Sequence, residues 1–298
     1  MWLIARDAER PLHEVAAELH GDGTTLLVLE DPAQPSLRGT CATPFMTNAD
    51  GADVALGWLR LDAQELSAYS HRAAALLQRE SQPRLPIALL GPREDRYIDL
   101  LDQLALAAES ASELVAFQWN AERLARHRLA DALRQGAAAA IYAGHGSARG
   151  WFAYGGIRAD MLTGESGLSA DQSIAVLFSL SCRTGQPAAP IEGNSTPLAR
   201  GLADEIVAGG VAAAVVAPLE DPLHDANRVL ATALVNALAS GTRRCADILY
   251  AARRDGACVD GYAIIGDPAT RVAAAPDATE RCAHVFAPAP DAILTRPS

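Results

Sequence analysis

Short, nearly continuous apolar runs alternate along the chain with longer stretches in which apolar positions recur every three or four residues. TTLLVLE (24–30) and VALGWLRL (54–61) read as strands, and residues 63–80 read as a helix. RESQPRLP (79–86), with two prolines among polar residues, marks a seam. Beyond it PIALLG (86–91), LVAFQW (114–119), AAAAIYAG (137–144), SIAVLFSLSC (173–182), VAAAVVA (211–217) and YAIIGD (262–267) read as strands. Helices are expected over 97–110, 121–136 and 225–240, the second with Ala121, Leu124, Ala125, Leu129, Ala132 and Leu133 on one face and Gly136 ending it. Another helix is expected from a Thr196 cap with Pro197 at its first position, carrying Leu198, Leu202 and Ile206. WFAYGGIRADML (151–162) reads as a hairpin around Gly155 and Gly156.

Alternating strands and helices, with strands apolar on both faces, predict an α/β fold whose mostly parallel sheet is covered by helices on both sides. The expected organisation is a small N-terminal α/β region (1–82), a main domain (83–275) and a loosely packed Pro/Ala-rich extension (276–298). In open sheets of this kind, binding and chemistry gather at the C-terminal strand ends.

Composition narrows the function classes. The chain has 298 residues, 50% hydrophobic and 20% charged, which suits a globular fold rather than a disordered one. A net charge of −11, with no basic patch in the sequence, argues against nucleic acid and anionic membranes as partners. Cys41, Cys182, Cys245, Cys258 and Cys282 are odd in number and widely spaced, so neither a disulfide framework nor a zinc site is expected. Charges arrive too early in MWLIARDAERPLHEV for a secretory signal, and no apolar run approaches the ~20 residues of a membrane helix. A cytoplasmic protein with reduced thiols and no metal or organic cofactor is the expectation.

Candidate chemistry sits at two strand ends. In AAAAIYAGHGSARG (137–150), His145 leaves an apolar strand between two glycines. The glycines permit unusual backbone angles and the close approach of another chain or a ligand. In FSLSCRTG (178–185), Cys182 stands just past the next strand. A right-handed crossover between neighbouring parallel strands would put both at one sheet edge. There an imidazole can raise the thiolate fraction of a cysteine nucleophile, and the backbone amides of Gly146 and Cys182 can face a developing oxyanion. Singly, a buried cysteine or a lone histidine is more often structural; jointly, at matching strand ends, they favour function. Glu220 and Asp221, one strand further over, either line a substrate pocket or solvate a turn. Trp151 and Phe152 read as packing residues or as a pocket wall, and His224 as a helix-start residue.

YAGHGSARGW followed by LFSLSCRTG resembles the caspase-like cysteine peptidases, the clan of caspases, metacaspases, gingipains, separases and CHAT-domain proteases. LARGLADEIVAGGVAAAVVAPLEDPLHDANRVLATALVNAL and YAIIGDPATRV are similar to the CHAT and gingipain branch, so the resemblance covers about Leu85 to Val272. It implies a cysteine endopeptidase in which Cys182 attacks the scissile carbonyl and His145 polarises the thiol and protonates the leaving amine. It also implies limited proteolysis of a protein substrate in a bacterial defence or cell-death circuit, with the substrate encoded nearby and an activating partner. The chain departs from the patterns of these families in three places. The Gln-Ala-Cys of caspases is absent, Leu180 stands where metacaspases carry an aspartate, and VVAPLED lacks the tryptophan usual in CHAT proteins. Leu180 and Ser181, together with Glu220 and Asp221, are the candidate substrate-pocket residues, and the P1 preference lies between basic and apolar.

Two other classes compete with this reading. GHGSARG has a glycine spacing close to a dinucleotide-binding loop, but the aromatic WFAYGG follows it where a helix should begin. A catalytically silent peptidase fold acting as an interaction module is the stronger rival, although such a module would need neither His145 nor Cys182.

Overall fold

The computed structural model describes residues 2–5, 11–21, 23–41, 43–80, 82–163, 169–188 and 200–286. The N-terminal region supplies β1 (Trp2–Ala5), α1 (Leu12–Ala17), β2 (Thr25–Leu29), β3 (Phe45–Thr47), β4 (Asp53–Leu59) and α2 (Ala63–Leu77). Across the seam follow β5 (Leu85–Leu90), α3 (Asp95–Glu109), β6 (Leu114–Gln118), α4 (Arg126–Leu133) and β7 (Ala139–Ala143). Three two-residue strands, β8 (Gly146–Ser147), β9 (Gly150–Trp151) and β10 (Ile157–Arg158), lead into α5 (Asp160–Thr163). The remaining elements are β11 (Ile174–Leu180), α6 (Leu202–Ala208), β12 (Ala212–Pro218), α7 (His224–Ala239), α8 (Cys245–Arg254), β13 (Tyr262–Gly266) and α9 (Ala278–Ala283).

Among the described residues, ten strands form one sheet in the order β1-β2-β4-β13-β12-β11-β7-β5-β6, with β3 beside β4. From β12 to β6 all neighbours are parallel, and so are those from β13 to β1. The two blocks meet in the antiparallel β12–β13 pair, so they run in opposite directions. Every residue of β5, β7, β11 and β12 is buried, the reason their sequences are apolar without alternation. Helices α3, α7 and α8 pack on one face, and α2, α4 and α6 on the other.

Several expectations change. The helix expected over 121–136 starts only at Arg126. Asn120 Oδ1 accepts the backbone N–H groups of Glu122 (3.2 Å) and Arg123 (3.1 Å), giving those residues a turn in place of a helix. The expected Thr196 cap and Pro197 lie outside the described residues, and the described helix begins at Leu202 after Gly201. Residues 151–162 form part of a small antiparallel sheet of order β10-β9-β8, turning at Gly155 and Gly156 with φ of 76° and 88°. The extension expected from residue 276 is not loose where it is described: Ala278 and Cys282 are buried, and just before it the Ala275 N–H reaches the Gly136 carbonyl at 2.9 Å.

The sheet runs straight through the seam expected near residue 82, because β4 pairs with β13. Arg38 reinforces that continuity with a bidentate contact to Asp204 of α6, at 2.8 and 2.9 Å, both side chains being fully buried. At the start of α2, Asp62 and Glu65 form a reciprocal capping box, each accepting the other's N–H at 2.9 Å.

Candidate active site

β5, β7, β11 and β12 are adjacent and parallel, so the loops at their C-terminal ends share one rim. In strand order those loops deliver Glu94 and Arg96, His145, Cys182, and Asp221. The β7–β11 register pairs Ala143 with Leu180 and Tyr142 with Ser179. His145 and Cys182 therefore each lie two residues past the same rung, on strands about 4.8 Å apart.

The glycines beside His145 have a more local cause than expected. Neither Gly144 nor Gly146 has a positive φ. A Cβ on Gly146 would come within 2.7 Å of Ser181 Oγ, and one on Gly144 within 2.7 Å of the Tyr142 hydroxyl and 2.8 Å of Pro92. The space that sequence analysis reserved for a visiting backbone is filled by the chain itself, and this lets the loops carrying His145 and Cys182 lie against each other. The Tyr142 hydroxyl also donates to the His145 carbonyl at 2.8 Å. Trp151 stacks on Tyr142 with centroids 4.3 Å apart and donates through Nε1 to Ser179 Oγ at 2.9 Å.

The Phe152 N–H donates to the His145 carbonyl at 3.0 Å, which makes Gly146 and Trp151 a non-hydrogen-bonded pair. The Gly146 amide consequently points away from β9. The Cys182 amide lies by its own sulfur, where it favours the thiolate. Burial is nevertheless the largest influence on that thiol and pushes its pKa up. Asp221 pushes the same way, through its charge and by accepting the thiol's hydrogen bond, and Arg183 opposes it.

The other pocket candidates divide by exposure. Leu180 and Ser181 are fully buried, packed beneath the rim rather than exposed on it, and the Leu180 carbonyl accepts from Asn227 Nδ2 at 3.1 Å. Glu220 and Asp221 are exposed on the rim. Asp221 is ion-paired with Arg183, a residue held at φ 55° with its N–H on the Glu220 carbonyl at 3.0 Å. Trp151 is buried, whereas Phe152, which follows it, is 62% exposed.

Sequence analysis missed the residues after β5. Glu94 Oε1 lies 3.5 Å from His145 Nε2, and Arg96 Nη2 lies 2.7 Å from the same nitrogen. Tyr97 presents edge-to-face contacts to His145 (centroids 5.5 Å apart) and to His224 (5.1 Å). Its hydroxyl pKa is raised, mainly by burial. The available signal was GPREDRY directly after a buried strand, the same strand-end position that singled out His145 and Cys182.

A parallel-stranded α/β sheet carrying a histidine and a cysteine on adjacent strand ends has the architecture of the caspase-like peptidases. The model of peptidase family C25 matches residues 92–273, and the chain belongs to that family. Among solved structures, the fold is similar to the Arg-specific cysteine proteinase gingipain R, with TM-score 0.61 and 16% identity over 84% of this chain. It is also similar to the complex of the pro- and mature domains of RgpB from Porphyromonas gingivalis, with TM-score 0.60 and 14% identity over 88% of this chain. The chain spans 64% of the first of these proteins and 68% of the second. No curated protein sequence matches it significantly. Among the described residues, no helix is long and apolar enough to cross a membrane.

Proposed function

We propose that this protein is a cysteine endopeptidase in which Cys182 is the nucleophile and His145 the acid–base partner. The observation that carries this is the shared rung: the two residues lie equally far past Ala143 and Leu180 on adjacent parallel strands. Sγ attacks the scissile carbonyl carbon, and the carbonyl oxygen takes the developing negative charge toward the Gly146 and Cys182 amides. The imidazolium then gives its proton to the leaving amine, and water hydrolyses the thioester to free the thiol. Burial and Asp221 both push the thiol pKa up, which opposes thiolate formation in the free protein.

A carboxylate whose charge acts on Cys182 favours a basic P1 side chain. Arg183 occupies Asp221 in the free protein, and a substrate arginine or lysine would take its place. Gingipain R is an Arg-specific proteinase, and the same preference is proposed here on the strength of Asp221. Exposed Phe152 and Leu223 offer apolar contact to flanking substrate residues.

A peptidyl acyloxymethyl ketone with arginine at P1 tests the assignment. Mass spectrometry should place the adduct on Cys182, and His145→Ala should suppress labelling while the circular dichroism spectrum is unchanged. Labelling that falls on another cysteine, or none at all in folded protein, would favour the silent interaction module.

A further inference from the structure

His145 Nε2 has two competing neighbours of opposite character. Arg96 Nη2 sits 2.7 Å away and Glu94 Oε1 3.5 Å away, while Glu94 Oε2 and Arg96 Nη2 are themselves paired at 3.0 Å. A guanidinium only donates, so Nε2 must accept, and the single proton of a neutral imidazole is then on Nδ1. A carboxylate only accepts, so contact with Glu94 requires the proton on Nε2 instead. The two partners therefore demand opposite tautomers. Arg96 is placed for its role by Tyr97, whose ring lies 4.8 Å from the guanidinium carbon and whose edge-to-face contact with His145 fixes the imidazole.

With Nε2 engaged by Glu94 and Arg96, Nδ1 is the nitrogen left to serve the thiol; among the described residues it has no hydrogen-bond partner. In the Arg96-bound state Nδ1 carries a proton and has no lone pair to receive another. It cannot deprotonate Cys182. When Arg96 withdraws, Nε2–H donates to Glu94, and the vacant Nδ1 lone pair can accept the Sγ proton.

We propose that Arg96 is a positioning residue that holds His145 in its non-basic tautomer until an acidic side chain of the substrate, on the leaving-group side of the scissile bond, draws the guanidinium away. Arg96 and Glu94 are 48% and 43% exposed, so an incoming carboxylate can reach the pair. The exchange conserves pairing: Glu94 passes from Arg96 to His145, and Arg96 passes from Glu94 and His145 to the substrate carboxylate. The leaving-group side is assigned because His145 must end beside the departing amine. The substrate part of the proposal rests on the peptidase assignment above, whereas the tautomer part does not.

Long-range 15N–1H correlation spectra of the full chain labelled at histidine nitrogens report the tautomer directly. His145→Ala identifies the His145 signals. Wild type should show Nδ1–H for His145 and Arg96→Met should show Nε2–H, with Arg96→Lys restoring part of the wild-type pattern. Nε2–H in wild type, or the same tautomer in wild type and Arg96→Met, would overturn the proposal. With paired peptides carrying glutamate or glutamine just beyond the scissile bond, wild type should favour glutamate by at least about tenfold, mainly in kcat. Arg96→Met should erase the preference by accelerating the glutamine peptide. Equal turnover of the two peptides by wild type would refute the role of the substrate carboxylate. No cleavage of either peptide, with the tautomer still following Arg96, would instead sink the peptidase assignment and leave the Arg96 contact standing.

Discussion

Two arginine–aspartate pairs in this molecule use the same chemical groups for opposite ends. Arg38 and Asp204 meet in a dry, bidentate contact with 0% and 1% of their side chains exposed. Arg183 and Asp221 meet on the rim beside Cys182, 57% and 49% exposed. Around Arg38, burial disfavours the charge, and Asp204 together with Glu30 more than restores it. Neither partner can leave without stranding the other in a low dielectric. Around Arg183, water can solvate either partner, so the pair can exchange at little cost. Burial thus separates a fixture of the fold from a contact open to exchange.

The largest effect should come from the rim itself. Cys182→Ala and His145→Ala should each reduce peptide turnover by about three orders of magnitude or more, with urea unfolding little changed. Asp204→Ala should do the reverse, costing about 3–5 kcal/mol of stability by leaving Arg38 buried and unpaired. A urea midpoint within error of wild type would show that the buried pair is not the fixture described. Asp221→Asn should give a severalfold gain in the rate of Cys182 alkylation by iodoacetamide at neutral pH. The aspartate charge raises the thiol pKa, so its removal lowers that pKa and enlarges the thiolate fraction. Slower alkylation would contradict the sign. The smallest effect is expected for Arg183→Ala, whose stability cost should stay within about 1 kcal/mol while its P1-arginine peptide binds more tightly. A large loss of stability would erase the contrast between the two pairs.

Much of the fold was legible in the sequence. Strands that become β5, β7, β11 and β12 are buried on both faces, so they had to be continuous apolar runs, and such runs stand out against loops. β1 and β3 went unread because runs of four and three residues are too short to stand out. α8 was missed although CADILYAARR carries an apolar stripe at helical spacing. His145 and Cys182 announced themselves through strand-end position and residue type. Glu94 and Arg96 did not, since acidic and basic residues at a helix start are ordinary solvated positions until three dimensions set them 3.5 and 2.7 Å from an imidazole. The roles of Gly144 and Gly146 were misjudged because tight contact with a neighbouring loop and openness to a ligand call for the same residue.

The antiparallel β12–β13 seam and the Arg38–Asp204 contact bear on how this protein can be engineered. A truncation keeping only residues 92–273, the span matched by the family model, would discard β1 through β5. That cut would delete the partner of Asp204 and bare one edge of β13, whose register with Gly57 and Trp58 would be lost. It would also remove β5 from beside β7, next to His145. Two raw sheet edges and a buried lone carboxylate are a recipe for inclusion bodies. Expression boundaries drawn from the family match alone would therefore cut through the folding unit, and a soluble minimal enzyme has to retain the N-terminal strands.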